Sequence, residues 1–178
     1  DAMRLALTAR GILCADGAAD RRSAAKPLEV PAAPFGDYPN RPAASAESLR
    51  EGTVLGTISE FYYADTARSY LRDVRESHDV FDEGRIAPPG FLLRRANSVL
   101  AYGVRLGPWI HVESDVSMHS HLKDGEPFES RARVARNYES KGHLIVDLDF
   151  AVLARGRPVM SGRHTAIYAP RQVREAAA

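Results

Sequence analysis

From residue 108 onward the chain alternates apolar and polar positions. "PWIHVESDVSMHSHL" (108–122), "PFESRARVARNYES" (127–140), "HLIVDLDFAVLA" (143–154) and "VMSGRHTAIYA" (159–169) each run with period two, which predicts four strands with one buried face. "KDG", "KG" and "RGRP" separate them, connections short enough for antiparallel neighbours. In the first of these strands Ile110, Val112 and Val116 share a face, leaving His111, Glu113 and Asp115 opposite. In the third, Leu144, Val146, Leu148 and Phe150 oppose His143, Asp147 and Asp149. The polar faces are expected to look outward or into a subunit interface, with charge pairs across strands. His164, between Arg163 and Thr165, fits either face.

Ahead of the strands the period changes. Phe91, Leu92, Ala96, Val99 and Leu100 form a broad stripe at helical spacing, the mark of a helix packed deeply against a sheet. Its approach is "RIAPPG". Pro88 and Pro89 fix φ, Pro89 suits a first helical turn, and Gly90 removes the side chain just where the helix opens. Further upstream, "GTVLGTISEFYYAD" (52–65) reads as a strand, with Phe61, Tyr62 and Tyr63 at its core and rim. "TARSYLRDVRES" (66–77) reads as a short helix capped by Asp65 or Thr66. Prolines at 27, 31, 34, 39 and 42 exclude a helix or central strand there and predict a linker or a strap across a surface.

One apolar helix followed by four antiparallel strands implies an α+β fold with the sheet wrapped around the helix. The expected organisation is a strand or hairpin over 1–25, a Pro/Ala-rich linker over 26–49, the main domain over 50–172 and a tail over 173–178. "MRLALTARGILCADGAADRR" echoes "VDLDFAVLARGRPVMSGRH" in its strand-turn-strand rhythm. Two readings stay open: chance similarity between hairpins, or the last hairpin of a lost preceding repeat.

Composition narrows the classes. With 178 residues, 44% of them apolar, and a net charge of +1, a globular protein with one real core is expected. The arginines are dispersed and make no concentrated basic stripe, which argues against nucleic acid as a partner. Cys14 is the single cysteine, excluding an internal disulfide framework and a multi-cysteine zinc site. No apolar run reaches about 18 residues, so no membrane span is expected. No signal-peptide pattern opens the chain, and a cytoplasmic location is expected, although the first residue, Asp1, leaves room for a removed upstream segment.

Strand, short helix, "RIAPPGFLL", long helix and four strands, with "VSMHSHLKDGEPFESRARV" and "GRPVMSGRHTAIY" among them, together resemble the hotdog fold. Within it the chain resembles the MaoC-like hydratase and dehydratase group, over roughly residues 50 to 170. That resemblance implies an acyl-CoA or acyl-carrier-protein thioester as substrate and chemistry of the enoyl-CoA hydratase or 3-hydroxyacyl dehydratase type. It implies no cofactor and no metal. The group's Asp-x-Asn-Pro-x-His segment has no counterpart in "YLRDVRESHDVFDEGRIAPPG", where His78, Asp79 and Asp82 are the residues of suitable type. "Pro-Pro-Gly" at the helix mouth is more like the non-catalytic halves of double-hotdog hydratases.

The unpaired N–H groups of a helix N-terminus could hold a thioester oxygen that gains negative charge. Pro89, Gly90 and Phe91 are therefore the expected substrate-binding residues, and Arg94 and Arg95 could meet CoA phosphates. His78 and Asp79 are the acid/base candidates. Asn97, seven residues past Gly90 and on the same side of the helix, could orient a loop or position a water. His119 and His121 have His-x-His spacing but no third ligand at an obvious distance, which favours a structural role. Three functions follow: a hydratase or dehydratase; a thioesterase; or a non-catalytic acyl-binding half that pairs with an active partner. An exposed sheet edge makes a homodimer or double-hotdog pairing the expected assembly.

Overall fold

The computed structural model describes residues 26–83 and 85–176; the expected hairpin over 1–25, and with it the echo, lies outside them. Five strands form one antiparallel sheet in the order β1-β3-β4-β5-β2. They are β1 (Ile58–Phe61), β2 (Ile110–Met118), β3 (Pro127–Ser140), β4 (His143–Ala154) and β5 (Arg157–Ala169). Left-handed pairs close both long hairpins: Lys141-Gly142 and Arg155-Gly156 have φ of 52° and 79°, and of 50° and 80°. Two consecutive positive φ values give the turn whose twist matches that of the flanking strands.

The helices are α1 (Ala64–Val74), α2 (Asp79–Asp82), α3 (Pro89–Gly103) and α4 (Arg171–Ala176). Helix α3 lies across the concave face of the sheet, chiefly on β3. Leu92, Ala96, Val99 and Leu100 are fully buried against Phe128, Ala132, Val134, Val146, Leu148 and Phe150. Phe91, expected in the same stripe, is half-buried at its border.

Three expectations are revised. The first strand is shorter than its pattern, four residues with an isolated bridge at Val54 to Arg133. Neither Asp65 nor Thr66 caps α1: the cap residue is Tyr63, and Asp124 in the β2–β3 connection accepts the Ala64 amide at 2.8 Å. Asp124 also holds Arg85 at 2.8 and 3.0 Å. These two contacts, the amide first, hold its carboxyl below the usual range. Third, a bulge between His111 and Glu113 breaks the alternation of β2. His111 thereby joins Ser114 on the concave side instead of sharing a face with Glu113 and Asp115.

The convex face carries the ion pairs. Asp149 is gripped by Arg133 and Arg163, each at 2.8 Å, and Asp147 accepts the Thr165 hydroxyl at 2.8 Å. Both carboxylates are buried. The proline-rich segment crosses this face: Leu28 N–H donates to Ser161 Oγ at 3.0 Å, and Arg131 donates to the Val30 carbonyl at 3.3 Å. It then runs past the far end of α3, where Ala43 bridges Arg105.

Candidate functional site

The mouth of α3 is built by sequence-local rules. Pro88 is the N-cap, extended at φ −62° and ψ 140°, with no side-chain cap, and Pro89 takes the first helical position. Leu92 N–H reaches back to the Pro88 carbonyl at 3.2 Å. Since Pro89 has no N–H, the donors left over in the first turn are those of Gly90 and Phe91. The macrodipole adds partial positive charge at the same place.

What stands over that mouth comes from α1. A methyl group built on Gly90 would overlap the Tyr70 hydroxyl, so any side chain here would push the Tyr70 ring aside. The Tyr70 ring meets Phe91 edge-on with centroids 6.0 Å apart, and the Arg94 guanidinium lies 5.5 Å from its centre. Burial raises the Tyr70 phenol above its ordinary value, with Arg94 opposing and Glu76 reinforcing the shift, so the phenol stays a donor at neutral pH. Phe91 is wedged between Tyr70 and Tyr62, the latter ring at 5.5 Å. Burial first, then Asp124, pushes the Tyr62 phenol up to about 12. Its hydroxyl donates to the Ile86 carbonyl at 3.3 Å, tying the strand end to the segment that enters α3.

The remaining expected residues fall in different places. His78 is exposed; its Nδ1 accepts the Val80 amide at 3.2 Å, making it the N-cap of α2. Its ring lies edge-on to Phe81 at 6.2 Å. Asp79 is exposed at the start of α2. Adjacent residues point apart, and no hydrogen bond among the described residues joins His78 to Asp79. Asn97 is half-buried, and its Oδ1 is enclosed without a hydrogen-bond partner. With Phe91, Arg94, Arg95 and Ser98 it lines a recess of about 260 Å³ on the outward side of α3. An enclosed, unpaired amide oxygen costs stability unless something binds it. Arg95 pairs with Glu60 at 3.2 Å, whereas Arg94 is exposed at the rim.

The structure thus brings together Pro89, Gly90, Phe91 and Asn97 along one helix and adds Tyr70, which sequence reasoning missed. The only signal for Tyr70 was an aromatic on a short helix upstream, indistinguishable from a core residue. His119 lies just past β2, bonded through Nε2 to Ser161 Oγ at 2.8 Å, and His121 is exposed. Among the described residues no cluster of three or more His, Cys, Asp or Glu side chains could hold a metal ion, and no helix is long and apolar enough to cross a membrane.

No protein-family model and no curated protein matches the sequence. Solved structures do. The (R)-hydratase from A. caviae involved in PHA biosynthesis superposes with TM-score 0.58 at 15% identity, over 70% of this chain and 100% of that one. The truncated HadBC (3R)-hydroxyacyl-ACP dehydratase complex from Mycobacterium tuberculosis gives 0.56 at 20% identity, over 65% and 95%. The MaoC-like dehydratase from Rhodospirillum rubrum gives 0.56 at 16%, over 70% and 96%. The chain therefore shares the fold of these structures, the hotdog fold.

Proposed function

We propose that the chain binds an acyl thioester of CoA or acyl carrier protein at the mouth of α3 and works as a MaoC-like hotdog protein of the hydratase or dehydratase type. The observation that carries this is the mouth itself, where the Gly90 and Phe91 amides are left over by the helix and the Tyr70 hydroxyl stands at the same spot. A thioester carbonyl that gains negative charge as its α-carbon loses a proton is stabilised by such fixed donors. Tyr70 supplies a further donor to that oxygen. Arg94, at the rim, suits the phosphates of the carrier. Asn97 Oδ1, enclosed and unpaired, would take a proton donor such as a water or a substrate hydroxyl.

A second reading has its own support. His78 Nδ1 is engaged as the cap of α2, so that nitrogen does not serve as a base, and the His78 and Asp79 side chains are both exposed and not hydrogen-bonded to each other. In this reading the chain is the acyl-binding half of a pair, with the acid/base groups in a partner, and strand β2 is the edge along which the two halves meet.

One assay separates the readings. Loss of enoyl absorbance from crotonyl-CoA is expected for the hydratase, and Gly90→Ala should lower kcat/KM about 100-fold by displacing Tyr70 and narrowing the approach to the amides. Stabilisation of the fold by crotonyl-CoA without turnover identifies the binding half. Free thiol release from acyl-CoAs would move the assignment to a thioesterase, and no effect of any acyl-CoA on either readout would end the thioester proposal.

A further inference from the structure

Helix α3 buries one face and leaves the other open. Leu92, Ala96, Val99 and Leu100 are fully buried against the sheet. Opposite them, at spacings of three and four, run Phe91, Arg95, Ser98 and Tyr102, with Arg94 and Asn97 alongside. An aromatic group closes each end of this stripe. At the mouth Phe91 sits between Tyr70 and Tyr62. At the far end Phe35 and Tyr38, from the proline-rich segment, stand at 80° and 88° to the Tyr102 ring, with centroids 5.9 and 5.2 Å from it. Phe35, Tyr38 and Tyr102 are 49%, 43% and 42% exposed, so these rings are accessible to a ligand.

Between the two groups lies the recess of about 260 Å³ lined by Asn97, whose Oδ1 is enclosed without a hydrogen-bond partner. A donor from a bound ligand would complete it. Tyr102, one turn past Ser98, is also a wall of a second recess of about 310 Å³, shared with Phe35, Asp37, Asn40 and Arg41. Arg41 is fixed there. It donates to the Tyr38 and Val104 carbonyls at 2.8 and 3.3 Å, and its guanidinium lies 4.0 Å from the centre of the Tyr38 ring. Asp37 accepts from Asn40 at 2.6 Å and keeps a second carboxylate oxygen for another donor. The helix sets the distances: at about 1.5 Å per residue, Asn97 lies about 10 Å along the axis from Gly90, and Tyr102 about 18 Å.

We propose that the open face of α3 is a track for coenzyme A, with the pantetheine arm over the Asn97 recess and the adenine against the Phe35–Tyr38–Tyr102 group. An extended pantetheine arm whose sulfur lies at the mouth carries its farther amide to the level of Asn97 and its pyrophosphate towards that of Tyr102. The amide N–H donates to Asn97 Oδ1 and supplies the missing partner. Arg94, exposed beside the recess, and Arg41, at its far end, are the cations available to the phosphates. The purine stacks on an accessible ring, and the Asp37 carboxylate accepts from its exocyclic amine. The position of the sulfur rests on the function proposed above. The track goes beyond that reading by selecting coenzyme A over a carrier protein, which presents the same arm but brings no base to these rings.

The test is calorimetric titration of the full chain, as wild type, Tyr102→Ala and Tyr102→Phe, with three ligands: butyryl-CoA, butyryl-pantetheine and free CoA. The saturated acyl group has no double bond to hydrate, and butyryl-pantetheine keeps the thioester without the nucleotide. Y102A should weaken butyryl-CoA about tenfold, the loss of one base-stacking ring. Y102F should bind it as the wild type does, and butyryl-pantetheine should bind all three proteins alike. Phe35→Ala repeats the test from the other side of the cluster should Y102A not fold. Equal affinities of butyryl-CoA for wild type and Y102A, or equal weakening of butyryl-CoA and butyryl-pantetheine, would overturn the track and leave the mouth of α3 as the thioester site. If free CoA binds as tightly as butyryl-CoA, both are weakened by Y102A and butyryl-pantetheine does not bind, the track stands and the thioester site falls. Binding of none of the three ligands to the wild type would end both.

Discussion

Strands β1 and β2 each border the sheet on one side only, yet they are finished in opposite ways. β1 has four residues, and its line is continued by irregular backbone in which Gly52 and Leu55 bond to Val134 and Ala132 of β3. Glu60 ties it to Arg95 on α3, and the proline-rich strap meets it at Thr57 and Ala33. β2 has nine residues, and Ile110, Val112 and Met118 are 50%, 49% and 42% exposed. A short edge covered by irregular chain resists pairing; a long apolar edge invites it. β2 is also the edge that carries His111 and Ser114, so the hydrogen-bonded His111–Ser114–His164 cluster and the expected pairing surface share one strand.

The strongest way to break this comparison is to prise β2 away. A Cβ on Gly162 would overlap the Asp115 carbonyl oxygen and crowd the Val116 backbone, and neither neighbour is a flexible side-chain end. Gly162→Ala is expected to destabilise by about 3 kcal/mol, read as a fall in thermal midpoint. Hydrogen exchange should show the loss concentrated in β2, with β1 unaffected; uniform loss over both edges would erase the distinction drawn here.

Acid should act on the same edge more gently. His164 is neutral in the fold down to about 4, whereas unfolded it takes up a proton near 6.5. Its contribution is complete above about pH 6.5 and is lost as pH falls towards 4, a total of about 3 kcal/mol at most. His119, also lowered by burial, adds in the same direction. Unfolding midpoints followed from pH 7 downward, in wild type and in S114A, measure the slope; a flat profile across that window would contradict the burial of a neutral His164.

The smallest effect on stability, and the sharpest on assembly, belongs to Val112→Lys. A charge on an exposed edge position should leave the unfolding free energy within about 0.5 kcal/mol while abolishing the association expected of the wild type in sedimentation at micromolar concentration; a monomeric wild type would overturn the pairing expectation. A lysine at Phe61, on the covered edge and 59% exposed, should leave association intact.

Much of the fold was legible because it obeys short periods. The four long strands, their turns and α3 are each specified within a window of some fifteen residues, and the switch from period two to helical spacing marks where sheet gives way to helix. The mouth of α3 was legible for the same reason, since proline and glycine act on their own backbone. His78 was a reasonable acid/base candidate by order along the chain, and the structure places it as a helix cap. Tyr70 and the His111–Ser114–His164 cluster escaped notice. The first depends on α1 folding over α3, and the second on a bulge that shifts His111 to the other face together with a pairing fifty residues apart in the chain.

The chain by itself determined its elements, its polarity and the bare first turn of α3, because those follow from backbone preference and side-chain period within each segment. Only the tertiary structure decided which polar groups lie inside. Burial, an unpaired nitrogen and a hydroxyl held between two imidazoles are properties of strand register and packing, and one bulged residue is enough to change them.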